Sequence, residues 1–276
     1  MSSIEDNIRE EAARYWRTSI CDISPGKISF RGYPIQDLIG ELSFPAMIWL
    51  MLRGEMPTHE QTKLLEAALV ASVDHGPHAP SIAISRMAVS CGLPLNGAMA
   101  SAINTLDDIH GGAGEQALKL YQDILKRTHS GTPLLDATAL AIDEWTGVHG
   151  KYLPGFGHRF HPVDPRSGKL LELVDQMVSK KVVEGHIATA ARAIETVMAD
   201  RKGKLIPMNI DGATAVIYGE LGFAPQLARG IFCLSRAVGI LAHAWEQSSR
   251  GERNKGPMPR SFPYLYEAQS SPLNNK

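Results

Sequence analysis

The chain has 276 residues, 44% of them hydrophobic and 21% charged, enough to build one large packed domain or two modest ones. Lys and Arg number 28 against 29 Asp and Glu, a formal net charge of -1, so there is no field to grip a phosphate backbone, and neither nucleic acid nor an anionic membrane is an expected partner. The 3 cysteines, Cys21, Cys91 and Cys233, are odd in number and widely spaced, which predicts reduced thiols and a cytoplasmic location over a disulfide scaffold.

The polar, acidic stretch Ile4-Glu5-Asp6-Asn7 is the reverse of a secretory leader. Residues 4–17 read as a charged helix with Ile4, Ile8, Ala12 and Tyr15 on one stripe. Pro25-Gly26, set between β-favouring residues from Ile23 to Tyr33, predicts a small hairpin. From there on the pattern is helical. Ser43 caps a helix running to Leu52, with Pro45 in its first turn, where a missing N–H costs nothing. That segment, Phe44–Leu52, is the longest apolar run and falls far short of the ~20 residues that span a bilayer. Thr58 and Gln61 have capping-box spacing and start the next helix. Further helices are expected over 80–90, 93–106, 112–126, 136–144, 169–178, 182–198, 212–221 and 226–247. The longest irregular stretch is 147–168, rich in Pro and Gly, and long ordered loops tend to carry function. The fold class is therefore mostly α with one hairpin. The tail from Arg250 carries prolines with Phe262, Tyr264 and Tyr266, a composition suited to covering a neighbouring surface.

Five constellations could carry chemistry. His110 stands before Gly111-Gly112-Ala113-Gly114, where small residues leave room for a ligand and the free N–H groups of a helix start favour a neutral imidazole. Read blandly, it is a helix-start turn with an incidental histidine. In Pro154-Gly155-Phe156-Gly157-His158-Arg159 the two glycines would let the backbone approach a flat or extended ligand beside His158; Phe160 stands where a dinucleotide fingerprint needs its third glycine. Asp211 precedes an apolar helix, either as its N-cap or as a general base in apolar surroundings. Arg236 lies in Ile231–Ala242, apolar on nearly every face and so expected to be buried, where a guanidinium requires a carboxylate from the protein or from a substrate. His75 and His78 flank Gly76-Pro77; with no third ligand at a recognised spacing, no metal is assigned, and both could face an anionic ligand.

Taken in order, these motifs resemble the citrate synthase superfamily along almost the whole chain. Gly26–Leu38, Arg53-Gly54-Glu55-Met56-Pro57-Thr58, Asp74-His75, His110-Gly111-Gly112-Ala113, Gly155-Phe156-Gly157-His158-Arg159, Asp164-Pro165-Arg166, Asp211 and Ser235-Arg236 carry the likeness. The resemblance implies a two-domain helical fold, with a large domain from 1–115 and 208–276, a small domain from 116–207, an active site in the cleft between them, and a homodimer or higher homo-oligomer. It implies His110, His158 and Asp211 as the catalytic set. Substrate carboxylates would be bound by His75, Arg166 and Arg236, with His78 where the synthases often carry an asparagine. A coenzyme A thioester is implied as substrate, with no tightly bound cofactor and no metal. Gly155 and Gly157 would line the thioester path, and Lys151 and Arg159 flank it as phosphate contacts.

Two departures bear on the reaction. Only Thr58–Val73 separates the Gly-Glu-Met-Pro-Thr landmark from Asp74-His75, a shortened layout similar to citryl-CoA lyases and the citryl-CoA lyase module of ATP-citrate lyase. The Arg-Pro-Arg of the synthases reads Met258-Pro259-Arg260 here, and an apolar Met258 cannot hold a carboxylate, which leaves Arg260 for that contact. The resemblance thus implies citryl-CoA cleavage to acetyl-CoA and oxaloacetate. The alternatives are condensation of an acyl-CoA with a 2-oxo acid, as in citrate or 2-methylcitrate synthase, or a non-catalytic CoA-ester-binding subunit.

Overall fold

The computed structural model describes residues 4–158, 161–253, 258–259 and 261–267. Arg159 and Arg260, both singled out above, lie outside the described residues. Among the described residues there are twelve α-helices and one three-stranded sheet. After α1 (Ile4–Tyr15), the hairpin forms as expected: β1 (Cys21–Ser24) pairs antiparallel with β2 (Lys27–Phe30), Ser24 opposite Lys27. Gly26 turns the chain at φ +76°, a conformation open to glycine without strain. A third short strand, β3 (Tyr33–Pro34), and the one-turn α2 (Ile35–Leu38) complete this region; two and four residues are too few to leave a periodic signal.

The helix-start signals act as their chemistry dictates. Ser43 Oγ accepts the Ala46 N–H at 3.4 Å and opens α3 (Phe44–Arg53), which ends on Gly54 at φ +82°. Ahead of α4 (His59–Ser72) the capping box is reciprocal: Thr58 N–H donates to Gln61 Oε1 at 2.8 Å, and Gln61 N–H donates to Thr58 Oγ1 at 3.1 Å. The next helices are α5 (Pro80–Ser90), α6 (Leu95–Ile103), α7 (Ala113–His129), α8 (Leu134–His149), α9 (Pro165–Ser179), α10 (His186–Lys202), α11 (Ile210–Glu220) and α12 (Pro225–Arg250). Three of these depart most from expectation, with α10 starting and ending four residues later than 182–198. α8 extends beyond 136–144 at both ends, and α9 starts at Pro165 because Asp164 caps it, its Oδ1 accepting the Arg166 N–H at 3.0 Å. The irregular stretch is correspondingly shorter, 150–164 rather than 147–168.

The chain divides into two compact units, residues 1–72 with 111–235 and residues 73–110 with 236–276. The segment 116–207, expected as the small domain, lies wholly inside the first unit. That unit is organised around α11, which packs on α4, α7, α9 and α10. Ala213, Ala215, Val216 and Ile217 are completely buried, and Gly219 admits Leu118 and Ile187 so closely that a Cβ there would stand 2.6 Å from Leu118 Cδ1. Both ends of α11 are anchored. Asn209 Oδ1 accepts the N–H groups of Asp211 and Gly212 at 3.0 and 3.2 Å. At the other end the Glu220 carboxylate accepts the Gly185 and Ala188 N–H groups at 2.8 and 3.0 Å, capping α10, whose own N-cap is a glycine.

In the second unit α5 packs on α6. α12 does not meet the expectation of burial on nearly every face. Ile231, Ser235, Arg236, Ile240 and Ala244 are buried, while Leu234, Val238, Leu241 and Trp245 form an exposed stripe with i, i+4, i+7, i+11 spacing. By length and composition α12 could cross a membrane, with a mean hydropathy of 1.3 over its most apolar 18 residues, of which 39% are buried.

Candidate active site

In the first unit, the loop carrying His158 is zipped to the strand-like segment that leads into α11. Phe156 bridges Met208 in antiparallel fashion. Gly157 N–H donates to Pro207 O at 2.8 Å, Asn209 N–H donates to Gly155 O at 2.9 Å, and Asn209 Nδ2 donates to Gly157 O at 2.7 Å. Glu195 of α10 secures the partner segment by accepting the Met208 N–H at 2.7 Å. Asn209 therefore closes the ladder that positions His158 and also caps the helix on which Asp211 rides. Asp211 sits in the first turn of α11 without being its N-cap, which removes the structural duty that competed with a catalytic one.

Gly155 and Gly157 each have a local structural reason to be glycine. Gly155 has φ +83° and a Cβ there would lie 2.7 Å from Gly212 Cα, so its missing side chain lets the loop rest on the start of α11. Gly157 has space for a Cβ, and its φ of +76° is what favours glycine. Tyr121 of α7 lies beneath this junction, fully buried, donating to Gly212 O at 3.4 Å. Burial, then the Glu195 and Asp211 anions, push its phenol well above its ordinary pKa, so it remains a neutral donor.

The His158 ring is set by a local bond: His161 N–H donates to His158 Nδ1 at 3.2 Å, and the two rings lie 4.6 Å apart. A neutral His158 must then carry its proton on Nε2. Arg166 is committed within the protein, its Nε and Nη2 forking onto both oxygens of Asp164 at 2.9 and 2.8 Å. Asp164 Oδ2 also accepts the Ile210 N–H at 3.1 Å, tying the Arg166 turn to the residue before Asp211. Burial pushes the Asp164 carboxyl up, but the Arg166 fork and the two N–H groups outweigh it and hold the pKa at about 2.

The second unit places Arg236 and His75 each within electrostatic reach of His110. His110 Nε2 accepts the Ser81 N–H at 3.1 Å and lies 3.0 Å from Ser81 Oγ. Ser81 is in the first turn of α5, whose N-cap, Ala79, has no side chain to offer, so the imidazole takes the place of a capping oxygen. A neutral His110 then carries its proton on Nδ1. Burial lowers its pKa first, followed by the cationic Arg236 and His75. The expectation of a neutral imidazole at a helix start is met, but the helix is α5 and not the one following Gly111-Gly112. Arg236 is 5% exposed on α12. His75 and His78 are exposed. Lys151 is exposed and lies over the Tyr152 ring, its Nζ 5.3 Å from the centroid. A cavity of about 270 Å³ between α7 and α8, lined by Leu120, Trp145 and His149 among others, includes none of the site residues.

Ser81, Asn209, Asp164 and His161 were not foreseen as orienting groups. Asn209 and Asp164 have a readable signal, a capping residue two positions before a candidate. The Ser81–His110 bond spans 29 residues and leaves no local trace.

A mostly helical fold that holds one histidine neutral at a helix start and, in its other unit, carries a loop histidine, a helix-borne aspartate and a forked arginine has the groups of an acid–base catalyst. The family described as "Citrate synthase, C-terminal domain" matches residues 10–69 and 60–257, and the chain belongs to the citrate synthase family. The citrate synthase of Haloferax volcanii is 32% identical over 212 residues, 75% of this chain and 52% of that protein. The structure of citryl-CoA lyase from Hydrogenobacter thermophilus superposes with a TM-score of 0.80 at 30% identity, covering 93% of this chain and 96% of that one. ATP citrate lyase from Methanothrix soehngenii, in complex with citrate and coenzyme A, shares the fold with a TM-score of 0.77 at 20% identity over 98% of this chain and 45% of its own. The chain spans about half the length of the curated citrate synthases it matches.

Proposed function

We propose that this chain breaks a carbon–carbon bond beside a coenzyme A thioester, as a citryl-CoA lyase does in releasing acetyl-CoA and oxaloacetate. The observation that carries the chemistry is the grip of the Ser81 N–H on His110 Nε2, which leaves a neutral His110 as an Nδ1–H donor. In cleavage, His158 takes the proton of the tertiary hydroxyl, and the electron pair of the breaking bond moves to the acyl α-carbon. His110 Nδ1–H donates to the thioester oxygen as the enol develops, and the Asp211 carboxyl protonates the carbon. Stabilising that enol supplies much of the rate, because the thioester α-proton is weakly acidic. Arg236 and His75 would hold substrate carboxylates, and Arg166 would do so from its fixed seat on Asp164.

Cleavage is supported by the short Thr58–Val73 segment, by Met258 in place of an arginine, and by the near-complete overlap with a stand-alone citryl-CoA lyase. The second reading, condensation by a citrate or 2-methylcitrate synthase, is favoured by His158 itself. With Nδ1 accepting the His161 N–H, its Nε2–H is poised to donate to the carbonyl of a 2-oxo acid. Cleavage requires the other tautomer and release of that backbone bond. We further propose a homodimer, supported by the exposed Leu234, Val238, Leu241 and Trp245 stripe on α12.

The test is to supply citryl-CoA in one assay and acetyl-CoA with oxaloacetate in another, following free thiol and every product by mass. Oxaloacetate released from citryl-CoA without free thiol supports the lyase. Free thiol from the second assay supports the synthase, and silence in both overturns the proposal.

A further inference from the structure

We infer that His243, on α12, is a positioning residue for the carboxylate-binding turn at His75, acting through Asp74. The inference rests on the reading of His75 as a substrate contact. Asp74 directly precedes His75, and its Oδ2 accepts the Gly76 N–H at 3.1 Å, folding the turn that displays His75. His243 Nε2 stands 3.3 Å from the same oxygen. On its other side, His243 Nδ1 faces Arg86 Nη1 at 3.4 Å and Glu246 Oε2 at 4.0 Å. Arg86, from α5, is itself braced, donating to Glu246 Oε2 at 3.1 Å and to Gln247 Oε1 at 2.8 Å.

A guanidinium offers only donors, so the ring nitrogen facing Arg86 must be the acceptor. The proton of the neutral ring is thereby driven onto Nε2, towards Asp74. Burial pushes the Asp74 carboxyl up, but the Gly76 N–H and His243 outweigh it and keep its pKa below the ordinary value, so the acceptor is anionic at neutral pH.

A second contact makes the seat specific. Gly239, one turn before His243, lies against the Val73 carbonyl and the Asp74 side chain, and a Cβ there would stand 3.0 Å from Asp74 Oδ1. The turn therefore touches α12 at a bare backbone and at an imidazole, four residues apart. Arg236 lies seven residues before His243, on the same side of the helix. One helix thus supplies a direct carboxylate ligand, Arg236, and the support for a second, His75.

The experiment compares His243→Leu, His243→Gln and Asp74→Asn with the wild-type chain. Loss of the ring bond should raise KM for the carboxylate substrate about tenfold in His243→Leu while kcat stays within about threefold. His243→Gln, whose amide N–H can reach Asp74, should recover most of that loss. Long-range proton–nitrogen NMR of the wild-type chain should show the tautomer of the His243 ring that carries its proton on Nε2. An unchanged KM in His243→Leu, equal losses with Leu and Gln, or an Nδ1–H tautomer would overturn the inference. If His243→Leu does not fold, His243→Gln, Asp74→Asn and the wild-type spectrum decide it. No turnover of any substrate pair by the wild-type chain would overturn the functional reading instead, and citrate affinity by calorimetry on the same variants, with the spectrum, would still judge the His243 pair.

Discussion

The surroundings of His110 and of His158 solve one problem in two ways. Each ring is gripped by a backbone N–H, but His110 is held at Nε2 by the first turn of α5 and His158 at Nδ1 by its own loop. His110 borrows a rigid helix end and sits among cations, so its neutral state is secured electrostatically. His158 depends on a loop whose shape is maintained elsewhere, by the ladder to residues 207–209 and by glycine packed on glycine. One grip is intrinsic to secondary structure, the other to tertiary packing. The two should therefore fail under different insults.

The largest effect is expected from Asp211→Asn, which leaves both grips in place and removes the proposed acid–base group. Turnover should fall by about 10³-fold or more, while calorimetry should find CoA-ester binding within a few-fold of normal. Near-normal turnover would remove Asp211 from the mechanism. Gly155→Ala attacks the loop's support alone. It forces a left-handed alanine against Gly212 and should cost about 3 kcal/mol, read as a fall in the thermal midpoint with the His110 tautomer unchanged by NMR.

Asp164→Asn loosens the same region from another side, leaving the Arg166 guanidinium without its anion at a cost of about 2 kcal/mol. The pH sign follows from the shift. The folded pKa of about 2 lies below the ordinary 3.8, so the carboxylate's stabilisation is complete above 3.8 and is lost as pH falls towards 2. Denaturation curves of wild type and variant should converge over that acid window; a gap that persists there would refute the ion pair. The smallest effect falls on the other grip. Ser81→Pro deletes the N–H that His110 accepts, at a helix position that tolerates proline, and should lower kcat about tenfold. It should also raise the His110 pKa, because an N–H bonded to the neutral ring opposes protonation, an effect visible in a histidine titration.

Much of this was legible in the chain. Ser43, the Thr58/Gln61 box and Pro25-Gly26 announced their elements because capping and turn chemistry act over three or four residues. The candidate histidines and Asp211 stood out because small or apolar neighbours framed them. What could not be read is whatever depends on distant partners. Ser81 and His110, Gly155 and Gly212, and Arg86 and His243 are each brought together by folding alone. α12 misled because Leu234 and Val238 read as core, when only the other side of the helix is covered. The end of α8 misled because Gly147 reads as a breaker, yet one glycine in a last turn costs only about 1 kcal/mol.

The fastening of α11 at both ends has a consequence for how the molecule breathes. With Asn209 seated at its start and Glu220 clamping the preceding helix, α10, at its finish, it can neither slide nor unwind from a tip. Its central amides, Ala213 to Ile217, should be among the last to exchange with heavy water. The aspartate it bears is then a fixed reference point, towards which any mobile group must travel.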